Sequence, residues 1–164
     1  EGIKKDELKY KGFLFIGLMI VDGEPFVIEY NVRMGDPETE VVLPRIKSDL
    51  LSHLNAITNG KLEEEKILID ERTATTIMLV SQGYPEAYEK GKVMTGLDQT
   101  SNCILFHAGT AMKDSELVTN GGRVMAVTTY GNNMNEALAL GFDNVQQIVF
   151  DGKNYRKDIG VDLM

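Results

Sequence analysis

A chain of 164 residues with 43% hydrophobic content carries enough apolar material to bury a core, and its length accommodates one domain or two small ones. Its 25 acidic and 17 basic residues leave a net charge of -8, which argues against nonspecific attraction to nucleic acid or an anionic membrane and favours small polar or metal-bound partners. One cysteine excludes an intrachain disulfide, and 2 histidines leave a closed zinc site short of its usual ligands, so any metal should be oxygen-bound.

The most apolar run, Phe13 to Val21, is too short for a helical membrane span, which takes about 20 residues. Phe13, Phe15, Met19 and Val21 alternate with Leu14, Ile16, Leu18 and Ile20. A strand apolar on both faces is expected to be covered on both, inside a sheet. Asp22-Gly23 supplies turn chemistry, and Phe26 to Val32 reads as the returning strand of a hairpin. The chain opens on Glu1 with no methionine, basic leader or cleavable apolar segment, and the expectation is a cut-down or processed piece of a longer polypeptide.

Asp36 is placed to cap a helix with Pro37 at its first position. Leu43, Ile46, Leu50, Leu54 and Ile57 then recur at helical spacing and predict one apolar stripe against the sheet, with Pro44 kinking or dividing the helix and Gly60 stopping it. The charged run Lys61 to Lys66 has no amphipathic pattern and marks either a boundary between two units or an exposed helix end.

Beyond it, strands are predicted near Thr75 to Ser81, Cys103 to His107 and Leu117 to Thr119, with Gly83-Tyr84-Pro85 as a turn. Asn120-Gly121-Gly122 predicts a tight turn into Arg123 to Tyr130 and hence another hairpin. Asn133 with Glu136 matches a capping box opening a helix through Ala137, Leu138, Leu140 and Val145. Cys103 lies in an apolar stretch and reads as a packed, reduced thiol.

Residues two apart on a strand share a face, so Glu29, Asn31 and Arg33 should form a polar row with Phe26, Ile28 and Tyr30 packed behind. A carboxylate and an amide oxygen are hard ligands that suit magnesium, and Arg33 would grip a phosphate. Alone, a Glu-x-Asn triplet arises by chance in about a third of chains this long, and a solvated strand face is the competing reading. The following loop, Met34 to Glu40, would aim helix N-terminal N–H groups toward the same side, although Asp36, Glu38 and Glu40 would also serve simply as caps. Gly91-Lys92 lacks the hydroxyl and glycine spacing of a P-loop, and His107 reads first as structural, with proton chemistry as the alternative.

The ordered set Gly17-Leu18-Met19, Glu29-Tyr30-Asn31-Val32-Arg33-Met34-Gly35-Asp36-Pro37-Glu38-Thr39-Glu40, Leu43-Pro44 and Lys47-Ser48-Asp49-Leu50 resembles the phosphoribosylamine-glycine ligases of the ATP-grasp superfamily. Gly83-Tyr84-Pro85, His107-Ala108-Gly109-Thr110, Gly121-Gly122-Arg123-Val124 and Tyr155 to Gly160 continue the match in order, so the likeness covers nearly the whole chain. The resemblance implies an α+β fold: the C-terminal part of an ATP-grasp domain over 1–65, antiparallel strands with a packed helix, followed by a small β-rich C-terminal domain over 66–164.

It further implies a cytoplasmic enzyme of de novo purine synthesis that joins glycine to 5-phosphoribosylamine, converting ATP to ADP and phosphate through a glycyl phosphate. By the same resemblance Glu29 and Asn31 hold magnesium or manganese, while Arg33 and the Gly35-Asp36-Pro37 loop border the reacting phosphate and glycine. Many relatives add a carboxylate on the preceding strand, where the nearest counterpart here is around Gly17. The family's adenine-contacting and lysine-bearing segments would precede Glu1, so the fragment alone is expected to be inactive. A noncatalytic β-rich module used for docking or nucleotide sensing and a different ATP-grasp carboxylate-amine ligase are the competing readings. Neither nucleic acid nor membrane is expected as a partner.

Overall fold

In the computed structural model, which describes residues 2–161, the chain folds as two compact units that divide between Asp70 and Glu71. All strand pairings among the described residues are antiparallel.

The first unit opens with a helical turn, α1 (Gly2–Lys5), followed by a two-stranded hairpin of β1 (Phe15–Val21) and β2 (Glu24–Asn31). Asp22 and Gly23 turn the chain with φ of 51° and 83°, the left-handed pair that a tight hairpin turn requires. The apolar alternation thus finds its strand, but burial on both faces does not follow. Leu18, Ile20, Ile28 and Tyr30 are 52%, 63%, 62% and 65% exposed, because a two-stranded sheet has no neighbouring strand or second layer of its own to cover either face.

The helix expected from Asp36 starts later and is much shorter. Asp36-Pro37 is a cis peptide bond, and α2 spans only Thr39–Val42, with Glu38 as a cap residue whose side chain makes no capping bond. Pro44 lies in a 3-10 turn, Leu43–Arg45, after which Ile46 is extended, so proline divides the helical region as anticipated. The following helix α3 (Leu50–Asn59) is capped by Asp49, whose carboxylate accepts from the Ser52 amide at 2.8 Å, and ends on Gly60 at φ 70°.

The buried positions of α3 are His53 and Ala56, whereas Leu54 is 37% exposed, so the apolar stripe is narrower than its spacing suggests. His53 is instead the centre of a polar relay. Its Nε2 lies 2.6 Å from Ser48 Oγ and its Nδ1 2.8 Å from Glu65 Oε2, while the Leu68 amide donates to Ser48 Oγ at 3.0 Å. Nearby, the Asp70 amide donates to the Arg45 carbonyl, Arg45 Nε donates to the Asp70 carbonyl, and Ile46 bridges Ile69. These bonds keep residues 66–70 with the first unit, past the charged run at Lys61 to Lys66.

The second unit is built on a four-stranded sheet in the order β4 (Cys103–His107), β7 (Arg123–Gly131), β3 (Thr73–Ser81), β8 (Lys153–Asn154). Its central strand β7 is buried on both faces: Val124, Met125, Ala126, Val127, Thr128 and Thr129 are all 0% exposed. Helix α4 (Met134–Gln147) packs on β3 and β7. At Gly141 an added Cβ would stand 3.1 Å from Ile77 Cδ1 and 3.1 Å from Thr129 Oγ1, so the glycine sets how closely the helix approaches the sheet.

The predicted hairpin between the strand at Leu117 and β7 is not formed. Strand β6 (Glu116–Thr119) pairs with β5 (Thr110–Lys113), and Asp114 and Ser115 close them with φ of 49° and 69°. A two-residue turn with two left-handed residues joins neighbouring strands directly. Asn120-Gly121-Gly122 instead crosses under the chain at Gly109, where a Cβ would come within 2.6 Å of Gly121 Cα.

Asn133 caps α4 as expected, its Oδ1 accepting from the Glu136 amide at 3.0 Å, but the return half of the box is displaced: the Glu136 carboxylate accepts from Asn133 Nδ2 at 3.0 Å and from the backbone amide of Asn132 at 3.0 Å. Asn133→Ala is expected to cost about 1 kcal/mol, the usual worth of such a cap, and to lower the urea midpoint of the chain without changing its folded spectrum. At the other end of α4, Lys153 Nζ donates to the carbonyls of Val145 at 2.8 Å and Ile148 at 2.5 Å. Burial holds that ammonium below its ordinary pKa. No helix among the described residues is long and apolar enough to cross a membrane.

Candidate metal and phosphate site

The antiparallel register places Gly17 opposite Glu29 and Phe15 opposite Asn31. Tyr10 helps hold the open end of the hairpin, its hydroxyl lying 2.5 Å from the Phe13 carbonyl oxygen and 3.2 Å from that of Val32. At this end of β2, Asn31 Nδ2 donates to Glu29 Oε1 at 2.8 Å. Only the amide nitrogen can donate to an ionised carboxylate, so the bond orients Asn31 with its Oδ1 turned away from Glu29. Glu29 is exposed and Asn31 half-buried.

Arg33 does not extend this polar row. It lies beyond the end of β2, and its Nη1 donates to the Met34 carbonyl at 2.9 Å. Gly35 is the buried residue of the loop that follows. A side chain there would strike the Phe15 ring, whose Cε2 lies only 2.7 Å from where its Cβ would stand, and the Glu38 carboxyl group. The Thr39 hydroxyl and amide both donate to the Gly35 carbonyl, the amide at 3.1 Å.

This closing of the loop also corrects the expectation of helix N-terminal donors. The amides of Glu40, Val41 and Val42 donate to Pro37 at 3.1 Å, Glu38 at 3.1 Å and Glu38 at 3.0 Å, so they are consumed within the turn. With four residues, α2 makes no sizeable dipole of its own.

Among the described residues no three His, Cys, Asp or Glu side chains cluster as a metal site would require if the protein supplied every ligand. One carboxylate with one amide oxygen is nevertheless a donor set that fits magnesium or manganese, since such ions keep several waters and take further oxygens from a phosphate substrate. The Ser48–His53–Glu65 relay, by contrast, escapes sequence inspection: its members are separated by five and twelve residues and follow no periodic pattern.

The second unit holds a shallow polar pocket lined by Ser81, Gln82, Tyr88, Lys92 and Asp151. Lys92 Nζ lies 2.7 Å from Glu89 and 3.1 Å from Asp151, and these two carboxylates raise its pKa, Glu89 most. His107 Nδ1 lies 2.9 Å from Thr110 Oγ1 across the turn between β4 and β5.

The family model described as phosphoribosylglycinamide synthetase, ATP-grasp (A) domain, matches residues 1–39. A phosphoribosylamine–glycine ligase of Chlorobaculum tepidum is 47% identical over 97% of this chain, which spans 38% of that protein. The trifunctional purine biosynthetic protein adenosine-3 of Gallus gallus is 44% identical over 98% of the chain and 16% of its own length. The crystal structure of phosphoribosylamine–glycine ligase from Thermotoga maritima superimposes with a TM-score of 0.77 at 39% identity, covering 96% of this chain and 39% of that one. The chain therefore spans about two fifths of the ligases it matches. Because the phosphoribosylglycinamide synthetase C-domain model covers residues 74–162, more than half of the sequence, the chain belongs to the phosphoribosylglycinamide synthetase family.

Proposed function

We propose that this chain is the C-terminal portion of a phosphoribosylamine-glycine ligase, its first unit the end of the ATP-grasp domain and its second the C domain. The complete enzyme joins glycine to 5-phosphoribosylamine, cleaving ATP to ADP and phosphate through a glycyl phosphate, in the cytoplasmic route to purines. The observation that carries this reading is the Glu29–Asn31 pair, held at 2.8 Å at the end of a hairpin inside the ATP-grasp match.

Glu29 and Asn31 are the residues that would hold magnesium or manganese. The bound ion would offset the charge of the ATP phosphates and template their approach to glycine. Arg33 has five N–H donors, of which the Met34 carbonyl takes one, and in this reading it turns toward the transferring phosphate. Gly35, Asp36 and Pro37 form the wall against which phosphate and glycine lie, and the buried Gly35 anchors that wall to Phe15 of β1. Proximity and charge stabilisation, rather than proton transfer, are what these side chains contribute.

Extending the chain with the upstream ATP-grasp and N-terminal sequence of its relatives, then following ADP formation that depends on both glycine and phosphoribosylamine, tests the assignment. Turnover is expected in the extended protein and not in the 164-residue chain. An extended, folded protein that makes no glycinamide ribonucleotide would refute the reading.

A further inference from the structure

Glu29 faces the one residue of β1 that has no side chain. Gly17 is its cross-strand partner, flanked by Ile16 and Leu18, and the ladder shifts register between Gly17 and Leu18. A Cβ added at Gly17 would stand 3.0 Å from Glu29 Cγ and 3.7 Å from the Glu29 backbone nitrogen and oxygen. The Glu29 side chain thus leans across its neighbour strand into the room a Cβ at residue 17 would take. From there its carboxylate meets Asn31 Nδ2.

From this contact we infer that Gly17 is a positioning residue for the Glu29–Asn31 pair. Its missing side chain is the seat that keeps the Glu29 carboxylate on the Asn31 side-chain amide. The inference rests on the proposed function only for what the pair binds; the seat itself is steric. Backbone freedom is not the reason for this glycine, because Gly17 is not among the residues with positive φ. Alanine is therefore compatible with the backbone and in conflict only with Glu29 Cγ. Of the two, the exposed Glu29 side chain is the one able to give way, and displacing its Cγ moves the carboxylate that meets Asn31.

The test uses the 164-residue chain and the side-chain amide signals of Asn31 in nitrogen-edited NMR, followed through a manganese titration. In the parent chain the hydrogen-bonded amide proton should be displaced downfield. In Gly17→Ala that displacement is expected to be lost while backbone signals outside the hairpin stay in place, and the manganese concentration that half-broadens the signal is expected to rise about tenfold. An unchanged Asn31 amide signal in Gly17→Ala overturns the inference. If manganese broadens the signal in neither protein but the downfield displacement is still lost, the seat stands and the metal assignment falls.

Should Gly17→Ala unfold the hairpin, the double variant Gly17→Ala with Glu29→Ala decides the matter. Removing Glu29 Cγ removes the conflict, so the hairpin signals are expected to return. Their failure to return would mean that Gly17 serves something other than Glu29.

Discussion

Glu29→Gln in the extended ligase is expected to lower turnover at subsaturating magnesium by at least about 100-fold, equivalent to about 2.7 kcal/mol of lost transition-state stabilisation. The substitution preserves size and shape and removes the negative charge, so the loss reports charge rather than packing. Gln also presents an amide in place of an ionised carboxylate, which weakens the bond from Asn31 Nδ2 that now measures 2.8 Å. Asn31→Ala should fall in the same direction by about tenfold, since it removes an uncharged oxygen donor while Glu29 remains. Raising magnesium should recover part of the rate in both variants. Rates measured across a magnesium series, beside melting curves, check the result, and a rate and magnesium dependence unchanged in Glu29→Gln would sink the metal assignment.

Gly96→Ala is expected to destabilise the second unit by more than about 3 kcal/mol, whereas Gly23→Ala should cost only about 1 kcal/mol. The two glycines share nearly the same φ, 80° and 83°. Alanine at such a φ carries a similar intrinsic penalty at both sites. Their surroundings differ. A Cβ at Gly23 meets nothing within 4 Å, while one at Gly96 overlaps the Gln147 carbonyl oxygen and stands 3.0 Å from its carbon. Gln147 ends α4, and Thr95 exchanges two hydrogen bonds with Val149 at 2.9 Å, so backbone on both sides blocks relief of the clash. Urea unfolding of the two variants separates the contributions. Equal losses would mean that the crowding at Gly96 is relieved by local movement.

The features legible in advance were those written into a few consecutive residues. Asp22-Gly23 specified its turn because it accommodates two left-handed residues. Asn133 and Glu136 specified a helix start because both partners of the capping box lie within one turn. Pro44 and Gly60 divided and ended the helical region for the same local reason. The Glu29–Asn31 pair was visible too, since strand alternation alone puts them on one face.

What went astray depended on partners distant in sequence. The alternation of β1 matches that of a covered strand, but its exposure depends on what packs over it, and Leu18 and Ile20 are exposed. β7 is the strand buried on both faces: β3 and β4 close its edges, α4 packs on it, and Met94 and Phe150 from outside the sheet join its core. The pairing of β6 with β5 rather than β7 is the local exception, because the Asp114-Ser115 turn closes the nearer pair. The Ser48–His53–Glu65 relay joins residues with no shared period, and only the folding of α3 beside the 62–70 segment brings them within 2.8 Å.

The candidate site divides along the same line. By itself, the sequence determined that a carboxylate and an amide oxygen share a strand face followed by a glycine-aspartate-proline loop, because those properties follow from alternation and local chemistry. Only the tertiary structure decided that Gly17 lies across from Glu29, that Arg33 leaves the row, and that Gly35 is buried against Phe15. Register and loop closure set these relations, and both arise from the pairing of whole segments rather than from any residue's own preference.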